Sequence, residues 1–221
     1  MEFSNLWTPE IEKKYKISDA LEIQKIRDAA KQALLIRLSY ALQRDWVPDF
    51  ESSSMKDAGV LLRIRNATYK EGGGPEWVVT LKQKKKDRSI HFNQELEASS
   101  ADPAGLVALE AELMKLFETT IDLQRLAKLD YDYAKSVGLT KHRMLLEKYR
   151  ELFHDEYDQI ILALDELPQP LGYFAEVEAK EASLFPEWEA KLGLGQAPVI
   201  MQDYGDLVKE LDDGKCRVLT F

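Results

Sequence analysis

The sequence predicts an α+β fold in which an eight-stranded antiparallel β tunnel, a closed barrel with a polar interior, is surrounded by peripheral helices. In several runs charged and apolar residues alternate with a period of two, so the charged side chains of each run share one face of a strand. Any single run could be the solvent-exposed face of an ordinary antiparallel sheet. Acidic and basic residues occur together on these faces, however, and closing the sheet into a barrel would turn them inward. The expected interior is a hydrated, ion-filled tunnel.

Five strands are predicted in the first half of the chain, where period-two runs are separated by turn residues. They are the segments 10–16, 34–46, 59–70, 78–82 and 95–97. Ser18 and Asp19 can cap a helix that continues to about Gln32, between the first two strands. The polar segment 48–54 is expected to be a loop. The glycine cluster at 72–74 is interpreted as a hairpin turn and not a phosphate-binding loop, because a strand and not a helix follows it.

A helical insertion is predicted at about 102–137. Asp102 is followed by Pro103, a combination typical of an N-cap and the first position of a helix. Leucines spaced three and four residues apart follow, as expected for one apolar face of a helix. A second helix is expected from about 122 to 137, and together the two helices would separate the fifth strand from the sixth.

Three further strands and two helices are predicted in the rest of the chain. The strands are expected at 139–153, 157–164 and 172–180, and the C-terminal helices at 186–192 and 201–211, within about 185–212. Asp165 directly follows the apolar run 160–164, so we expect it at the end of a buried strand, where a carboxylate needs a partner or a metal ion. We find no repeat or linker and therefore predict a single domain over 1–221.

Composition and charge argue against several classes of function. With 30 basic and 39 acidic residues the chain has a formal net charge of −9, which argues against a nucleic-acid partner. No segment approaches the roughly 20 apolar residues of a membrane span, and the N-terminus does not match a signal peptide, so we expect a cytoplasmic protein with no membrane partner. The single cysteine, Cys216, excludes an internal disulfide, and the three histidines lack zinc-ligand spacing. An anionic ligand would need a local concentration of basic residues.

Charged motifs are spread in a fixed order along the chain. They are Glu10-Ile11-Glu12-Lys13-Lys14, Leu62-Arg63-Ile64-Arg65, Thr80-Leu81-Lys82, Glu95-Leu96-Glu97, Lys141-His142-Arg143, Leu164-Asp165 and Gly172-Tyr173-Phe174-Ala175-Glu176-Val177-Glu178. The first is an ExExK signature, and the ordered set resembles that of CYTH-domain proteins, also called triphosphate tunnel metalloenzymes. This resemblance covers nearly the whole chain. It implies an eight-stranded antiparallel tunnel that binds triphosphate compounds together with Mg²⁺ or Mn²⁺.

The resemblance also implies a role for each motif. The residues that would contact substrate phosphate are Lys14, Arg63, Arg65, Lys82, Lys141 and Arg143. Those that would hold the metal are Glu10, Glu12, Glu95, Glu97, Asp165, Glu176 and Glu178. Glu10, Glu12 and Lys14 would be the catalytic residues, and Tyr204 would be a further substrate contact. The chemistry agrees, because arginine forks match phosphate oxygens and carboxylates suit hard cations.

These features lead us to expect a metal-dependent triphosphatase acting on a small-molecule triphosphate, either inorganic tripolyphosphate or an organic compound such as thiamine triphosphate or a nucleotide. Two alternatives stay open: a class IV adenylate cyclase, which makes cyclic AMP and pyrophosphate from ATP, and a non-catalytic tunnel that binds polyphosphate or nucleotides. Ile200 or Met201 stands where mammalian-type thiamine triphosphatases have a lysine, which argues against thiamine specificity. The histidine-containing N-terminal segment of the cyclases is also absent. The sequence leaves open the group on the triphosphate, the preferred metal and the oligomeric state.

Overall fold

The computed structural model describes residues 7–72, 76–85, 91–211 and 218–221 of the chain. Cys216 and part of the predicted turn at 72–74 lie outside the described residues. The elements of the described part are β1 (Thr8–Ile17), α1 (Ala20–Gln32), β2 (Ile36–Asp49), α2 (Ser54–Asp57), β3 (Val60–Tyr69), β4 (Glu76–Lys85), β5 (His91–Ser99), α3 (Pro103–Phe117), α4 (Leu123–Ala127), α5 (Tyr131–Ser136), β6 (Lys141–His154), β7 (Ile160–Leu167), β8 (Gly172–Ala179), a short 3-10 turn (Ala182–Leu184), α6 (Phe185–Leu192), β9 (Val199–Ile200), α7 (Tyr204–Leu211) and β10 (Val218–Leu219).

Eight strands close into one antiparallel barrel, which confirms the predicted fold. The order around the barrel is β6-β2-β3-β4-β5-β1-β8-β7, and β7 pairs back with β6. Two short strands extend the rim, where β9 pairs with β1 and β10 runs parallel to β6. Among the described helices, none is long and apolar enough to cross a bilayer.

The main apolar cores lie outside the barrel, between its strands and the helices around it. Val60, Leu62 and Ile64 alternate along β3 and are buried in one core with leucines of α3 and α4. A second core joins β1, β7 and β8 to α1 and α6, where Phe185 and Trp188 are buried. Because successive strand residues face opposite sides, this outward burial leaves the charged residues facing the barrel interior. The predicted apolar exterior and polar interior are confirmed.

The third apolar cluster joins α7 to the strands at one end of the barrel. Val208 of α7 is buried in this cluster with Val47, Leu146 and Phe174. Tyr204, at the start of α7, packs edge-on against Phe174 with ring centroids 5.3 Å apart. The helix therefore covers part of this barrel mouth and brings the tyrosine next to the interior.

Several predicted boundaries were wrong for local reasons. The segment expected to be one helix from 122 to 137 is split, because Leu129 has a positive φ of 57° and the side chain of Asp130 caps a new helix. The segment 48–54 is not simply a loop, since β2 continues through Asp49, whose carboxylate accepts backbone hydrogen bonds from Met55 and Lys56 of α2. Asp165 lies inside β7 and not at its end.

Candidate active site

The barrel encloses a cavity of about 450 Å³ that is open to solvent. Most of the residues singled out from the sequence line it: Glu10, Glu12, Lys14, Arg63, Arg65, Lys82, Glu95, Glu97, Arg143, Glu176, Glu178 and Tyr204. They come from strands on all sides of the barrel and from α7. Asp165 and Lys141 are the two predicted site residues that do not line the cavity. The structure thus brings together side chains that are far apart in the sequence.

Buried carboxylates hold several of the basic residues in the cavity wall. Asp45 lies opposite Arg65 across the β2–β3 pair and accepts two hydrogen bonds from its guanidinium, at 2.6 and 2.7 Å. Burial alone would raise the pKa of Asp45, but the guanidinium of Arg65 outweighs it and holds that pKa far below its usual range. Both charges are therefore fixed in the folded state, and the guanidinium is held in one orientation.

Asp165 is the centre of a second buried network. Its Oδ1 accepts a hydrogen bond from Arg150 Nε at 2.6 Å, and its Oδ2 lies 3.2 Å from Lys148 Nζ. The hydroxyl of Tyr204 donates to the same Oδ2 at 2.6 Å. Burial raises the pKa of Asp165, but Arg150 and Lys148 outweigh this effect and lower it overall. Both carboxylate oxygens are occupied, so Asp165 supports the cavity wall from behind.

Glu176 extends this network into the cavity. Its carboxylate pairs with the Arg150 guanidinium, and its Oε1 lies 3.2 Å from Lys14 Nζ. Despite burial, the cations, with Arg150 first, hold the pKa of Glu176 well below its usual range. The ammonium of Lys14 also lies 4.3 Å from the ring centroid of Tyr204. We name Asp45, Asp165, Glu176 and their cationic partners the paired side of the cavity.

Four carboxylates on neighbouring strands lie around the ammonium group of Lys82, three of them within 4 Å of it, and we name these four the acidic side. They are Glu10, Glu12, Glu95 and Glu178, from β1, β5 and β8. Lys82 Nζ lies 2.5 Å from Glu10 and 2.9 Å from Glu95, and 3.9 Å from Glu12. The register explains their proximity, because Lys82 lies opposite Glu95, and Glu12 lies opposite Glu178.

Two carboxylates of the acidic side have pKa values shifted in the opposite direction to those of the paired side, whereas the pKa of Glu95 is lowered because Lys82 and Arg63 outweigh its burial. Burial raises the pKa of Glu10 to about 8, and repulsion from Glu12 and Glu95 adds to this effect, although Lys82 opposes it. Burial, followed by repulsion from Glu95 and Glu12, raises the pKa of Glu178 to about 7. Among the described side chains, one cation, the ammonium of Lys82, lies within 4 Å of these carboxylates, so the described part of this side has an excess of negative charge when all four are ionised.

A polar chain crosses from β3 to β5 between the two sides. Arg63 Nη2 donates to Thr80 Oγ1 at 2.9 Å, and Thr80 Oγ1 donates to Glu97 at 2.9 Å. The three residues lie directly opposite one another in the strand register. The Nε of Arg63 is buried and has no hydrogen-bond partner among the described residues, so this guanidinium retains an unused donor next to the cavity.

Two basic residues on β6 that were not predicted from the sequence, Lys148 and Arg150, line the cavity. Lys141 and Arg143 on the same strand were predicted to do so, but Lys141 instead donates to Ser53 Oγ at 3.0 Å. The register explains the difference: Val47 pairs with Met144, and Pro48 pairs with His142, which leaves Arg143 as an extra residue in a β-bulge. Because of the bulge, the residues that face inward are odd-numbered up to Arg143 and even-numbered after it. A strict period of two therefore could not place Arg143 and the later pair, Lys148 and Arg150, inside together.

The acidic side suits a hard cation in donor chemistry and charge, since carboxylate oxygens are the preferred ligands of Mg²⁺ and Mn²⁺. Over the described residues, however, no three carboxylate, imidazole or thiol side chains form a ready-made metal site. The ammonium of Lys82 lies among the carboxylates and already neutralises part of their charge. The residues therefore fit a divalent cation as a donor set, with Lys82 as the competing charge.

Comparisons with known proteins show where this fold occurs. No protein-family model matches the sequence, and no curated protein sequence matches it significantly. Solved structures do match. The PH1819 protein from Pyrococcus horikoshii has a TM-score of 0.61 and 21% identity, over 91% of this chain and 99% of that chain. A Hippeastrum protein assigned as an adenylyl cyclase and reported to have a dominant triphosphatase activity has a TM-score of 0.60 and 18% identity, over 91% and 95%.

A third similar structure comes from Vibrio parahaemolyticus. This protein, assigned as an adenylate cyclase, has a TM-score of 0.54 and 16% identity, over 90% of this chain and 97% of that chain. At these identities the matches show a shared fold, which is the tunnel fold expected from the resemblance to CYTH-domain proteins. Each match covers about nine-tenths of this chain and nearly all of the other chain.

Proposed function

We propose that this protein is a divalent-metal-dependent triphosphatase of the CYTH type. The observation that carries this proposal is the division of one cavity into a paired side and an acidic side. The paired side presents lysines and arginines suited to phosphate oxygens, and the acidic side presents carboxylates suited to a divalent cation. A triphosphate bound with its metal ion carries both kinds of charge, so it matches both sides at once.

The basic residues would bind and orient the phosphate chain. Arg65 and Arg150 are held by Asp45 and Asp165, so their guanidinium groups need little reorganisation when phosphate arrives. Lys14 reaches the cavity between Glu176 and the ring of Tyr204. In this assignment Asp165 acts as a positioning residue, and the resemblance-based assignment of Asp165 as a metal ligand is the alternative.

Mg²⁺ or Mn²⁺, when bound, would neutralise phosphate charge and polarise the attacking water. Glu10, Glu12 and Glu178 are the carboxylates we assign to hold it, together with Glu95. Lys82 would then turn from these carboxylates to the phosphate chain, because the cation replaces its charge. This exchange agrees with the resemblance, which gives Lys82 a phosphate contact.

The reaction is hydrolysis of a phosphoanhydride bond. A water oxygen attacks the terminal phosphorus, the bond from that phosphorus to the bridging oxygen breaks, and phosphate leaves together with a diphosphate. Glu10 or Glu12 would take the proton of the attacking water, while Lys14 and Arg150 offset charge on the phosphate oxygens. Catalysis of this kind is mostly positioning and electrostatic stabilisation, which a preorganised charged cavity supplies.

Product analysis tests the proposal directly. The purified protein is incubated with tripolyphosphate, thiamine triphosphate or ATP, with Mg²⁺ or Mn²⁺ or with EDTA, and the products are separated. We expect phosphate to be released only when metal is present. This activity should be lost in Glu12→Gln and kept in the control Glu22→Gln, a partly exposed residue on α1. No turnover of any of these compounds would contradict the proposal and leave a binding function.

An adenylate cyclase is the second candidate, because the fold is shared with a protein assigned as one. In that reaction the ribose 3′-hydroxyl of ATP attacks the α-phosphorus and pyrophosphate leaves. The same incubation separates the two candidates, since cyclic AMP and pyrophosphate would appear in place of phosphate and ADP.

A further inference from the structure

A second, much smaller cleft lies on the outer wall of the barrel, between α1 and the outward faces of the strands. Its volume is about 30 Å³. At about 30 Å³ for each molecule of liquid water, the cleft has room for one water molecule or one ammonium group. The polar residues that matter for its chemistry are Arg27 of α1, Tyr40 of β2, Tyr149 of β6, Glu166 of β7 and Tyr173 of β8.

The strand register places a carboxylate between two tyrosines in this cleft. Tyr149 lies opposite Glu166, and Glu166 lies opposite Tyr173. The alternation of side chains along a strand turns these residues outward, since Arg150 lines the tunnel and Leu164 is buried in the outer core. Cross-strand neighbours have Cβ atoms about 4.5–5.5 Å apart, so both phenol rings flank the carboxylate.

Glu166 is partly buried but has no cation of its own. Among the described residues it forms no ion pair. Arg27, the basic residue of α1 that lines the cleft, donates instead to Glu151 at 2.7 Å and to Gln24 at 2.6 Å. A partly buried carboxylate without a partner favours the arrival of a cation. The cleft therefore presents an unused negative charge where there is room for one ammonium group.

The tyrosine rings beside Glu166 already hold an ammonium group from the chain itself. The Nζ atom of Lys70 lies 4.2 Å from the ring centroid of Tyr40 and 4.4 Å from that of Tyr149. It also donates to the hydroxyl of Tyr40 at 3.1 Å. Aromatic faces attract ammonium groups at such distances. The position of Lys70 shows that this part of the outer wall accommodates an ammonium group, and the carboxylate of Glu166 is left over for another.

A further carboxylate, that of Asp19, lies near the rim of the cleft. Burial first, and then the charges of Glu166 and Asp19, raise the pKa of the Tyr173 phenol, which indicates that both carboxylates are close to this ring. Asp19 is exposed and caps α1, because its Oδ1 accepts hydrogen bonds from the backbone nitrogens of Leu21 and Glu22. One acid in the cleft and one at its rim suit a flexible chain that carries an ammonium group at each end.

We propose that this cleft is a binding site for a linear polyamine. One primary ammonium group enters the cleft and pairs with Glu166 between the rings of Tyr149 and Tyr173, and the second lies at the surface near Asp19. The volume admits a primary ammonium group and not a quaternary one, whose methyl groups need more space. The formal net charge of −9 also attracts a polycation. The site lies outside the tunnel and does not depend on the proposed function.

Calorimetry with diaminobutane and with butylamine tests the site, at constant ionic strength and about pH 7.5, where carboxylates and alkylammonium groups are charged. Glu166→Gln should weaken the binding of diaminobutane at least about tenfold, as expected for a hydrogen bond between charged groups. Tyr173→Leu should weaken it about two- to fivefold, the contribution of an exposed ring to an ammonium contact. Lys70→Ala should strengthen it, because a competing ammonium group is removed. Asp19→Asn, which keeps the helix cap, should reduce the preference for diaminobutane over butylamine.

Matched controls change the same residue types elsewhere. Glu156→Gln and Tyr157→Leu, in the exposed turn between β6 and β7, should leave the affinity within about twofold of the wild-type value. The acidic side of the tunnel also attracts ammonium groups, so Glu178→Gln is a third control that should leave the affinity unchanged. No saturable binding of diaminobutane by the wild-type protein, or binding that is lost in Glu178→Gln and kept in Glu166→Gln, would overturn the inference.

Discussion

The paired and acidic sides of one cavity use the same residue types in opposite ways. On the paired side, Asp45, Asp165 and Glu176 each contact at least one guanidinium or ammonium group, and nearby cations lower their pKa values. On the acidic side, burial and mutual repulsion raise the pKa values of Glu10 and Glu178. Among the described side chains, the number of cations per carboxylate, and not burial, distinguishes the two sides.

Because of this difference, the two sides are suited to different roles. A fully paired carboxylate fixes the position of its partner and has little to offer a metal ion. An under-compensated group of carboxylates is held in a costly arrangement that an added cation would relieve. The fold therefore keeps a preorganised anion site next to a site that is completed only when a cation binds.

The largest expected effect is on the paired side. Asp165→Asn leaves the buried Lys148 without an ion pair among the described residues, while Arg150 keeps Glu176, and a buried charge left without its partner costs about 3–5 kcal/mol. We expect the free energy of unfolding, measured by urea denaturation, to fall by that amount. The exposed control Asp28→Asn should change it by less than about 0.5 kcal/mol. A loss below about 1 kcal/mol for Asp165→Asn would show that Glu176 alone balances both cations.

On the acidic side, neutralising a carboxylate should have the opposite sign. The pKa of Glu178 rises from 4.5 to about 7 on folding, so the folded protein binds the proton more tightly than the unfolded chain does. This residue's contribution to stability is complete below about pH 4.5 and is lost as pH rises toward 7 and above. In EDTA, Glu178→Gln should therefore exceed the wild-type stability at pH 8 by up to about 3 kcal/mol.

The control for this prediction is the same measurement at low pH. Near pH 4 the carboxyl group is protonated in both states, so Glu178→Gln and the wild type should have nearly equal free energies of unfolding. Equal stabilities at pH 8 as well would mean that Lys82 compensates the acidic side more fully than its distances indicate.

The next largest expected effect is stabilisation by metal, which should depend on the acidic side and not on the paired side. Mg²⁺ or Mn²⁺ at about 100 times its dissociation constant should stabilise the wild-type protein by about 2.7 kcal/mol, because it binds only the folded state. Glu178→Gln should lose most of this stabilisation, and Glu176→Gln should keep it, since Arg150 and Lys14 already neutralise Glu176. The reverse result would place the metal at Glu176, as the resemblance to CYTH-domain proteins also allows. Thermal melts with and without metal make the measurement.

The barrel was predictable from the sequence because its signal is periodic and repeated. Glu10, Glu12 and Lys14 alternate with residues that pack outward, and the same holds for Arg63 and Arg65. Each run by itself fits an ordinary sheet, but closure is the arrangement that turns all the charged faces toward one another. The ordered motifs resemble those of CYTH-domain proteins, which also predicts a closed eight-stranded barrel.

What the sequence did not reveal depends on local irregularity and on pairing between strands. The bulge at Arg143 changes the phase of β6, so Lys148 and Arg150 face inward although a strict period starting at Lys141 places them outside. No pattern in the sequence shows that Asp165 is enclosed by cations from β6, because that contact depends on the register of two strands. The high number of basic residues on β6 was the feature of the sequence that could have indicated a second basic pair.

The smallest expected effect concerns the contribution of α7 to the paired side. Tyr204→Phe removes the hydroxyl that donates to Asp165 but keeps the ring, so we expect a loss of about 1.5 kcal/mol in unfolding free energy. Tyr15→Phe is a matched control, because the buried Tyr15 donates a similar hydrogen bond to Glu189 outside the barrel. Both variants should lose comparable stability. Only Tyr204→Phe should raise KM for tripolyphosphate, since Asp165 also orients Arg150, and an equal rise in KM for both variants would show that α7 acts through stability alone.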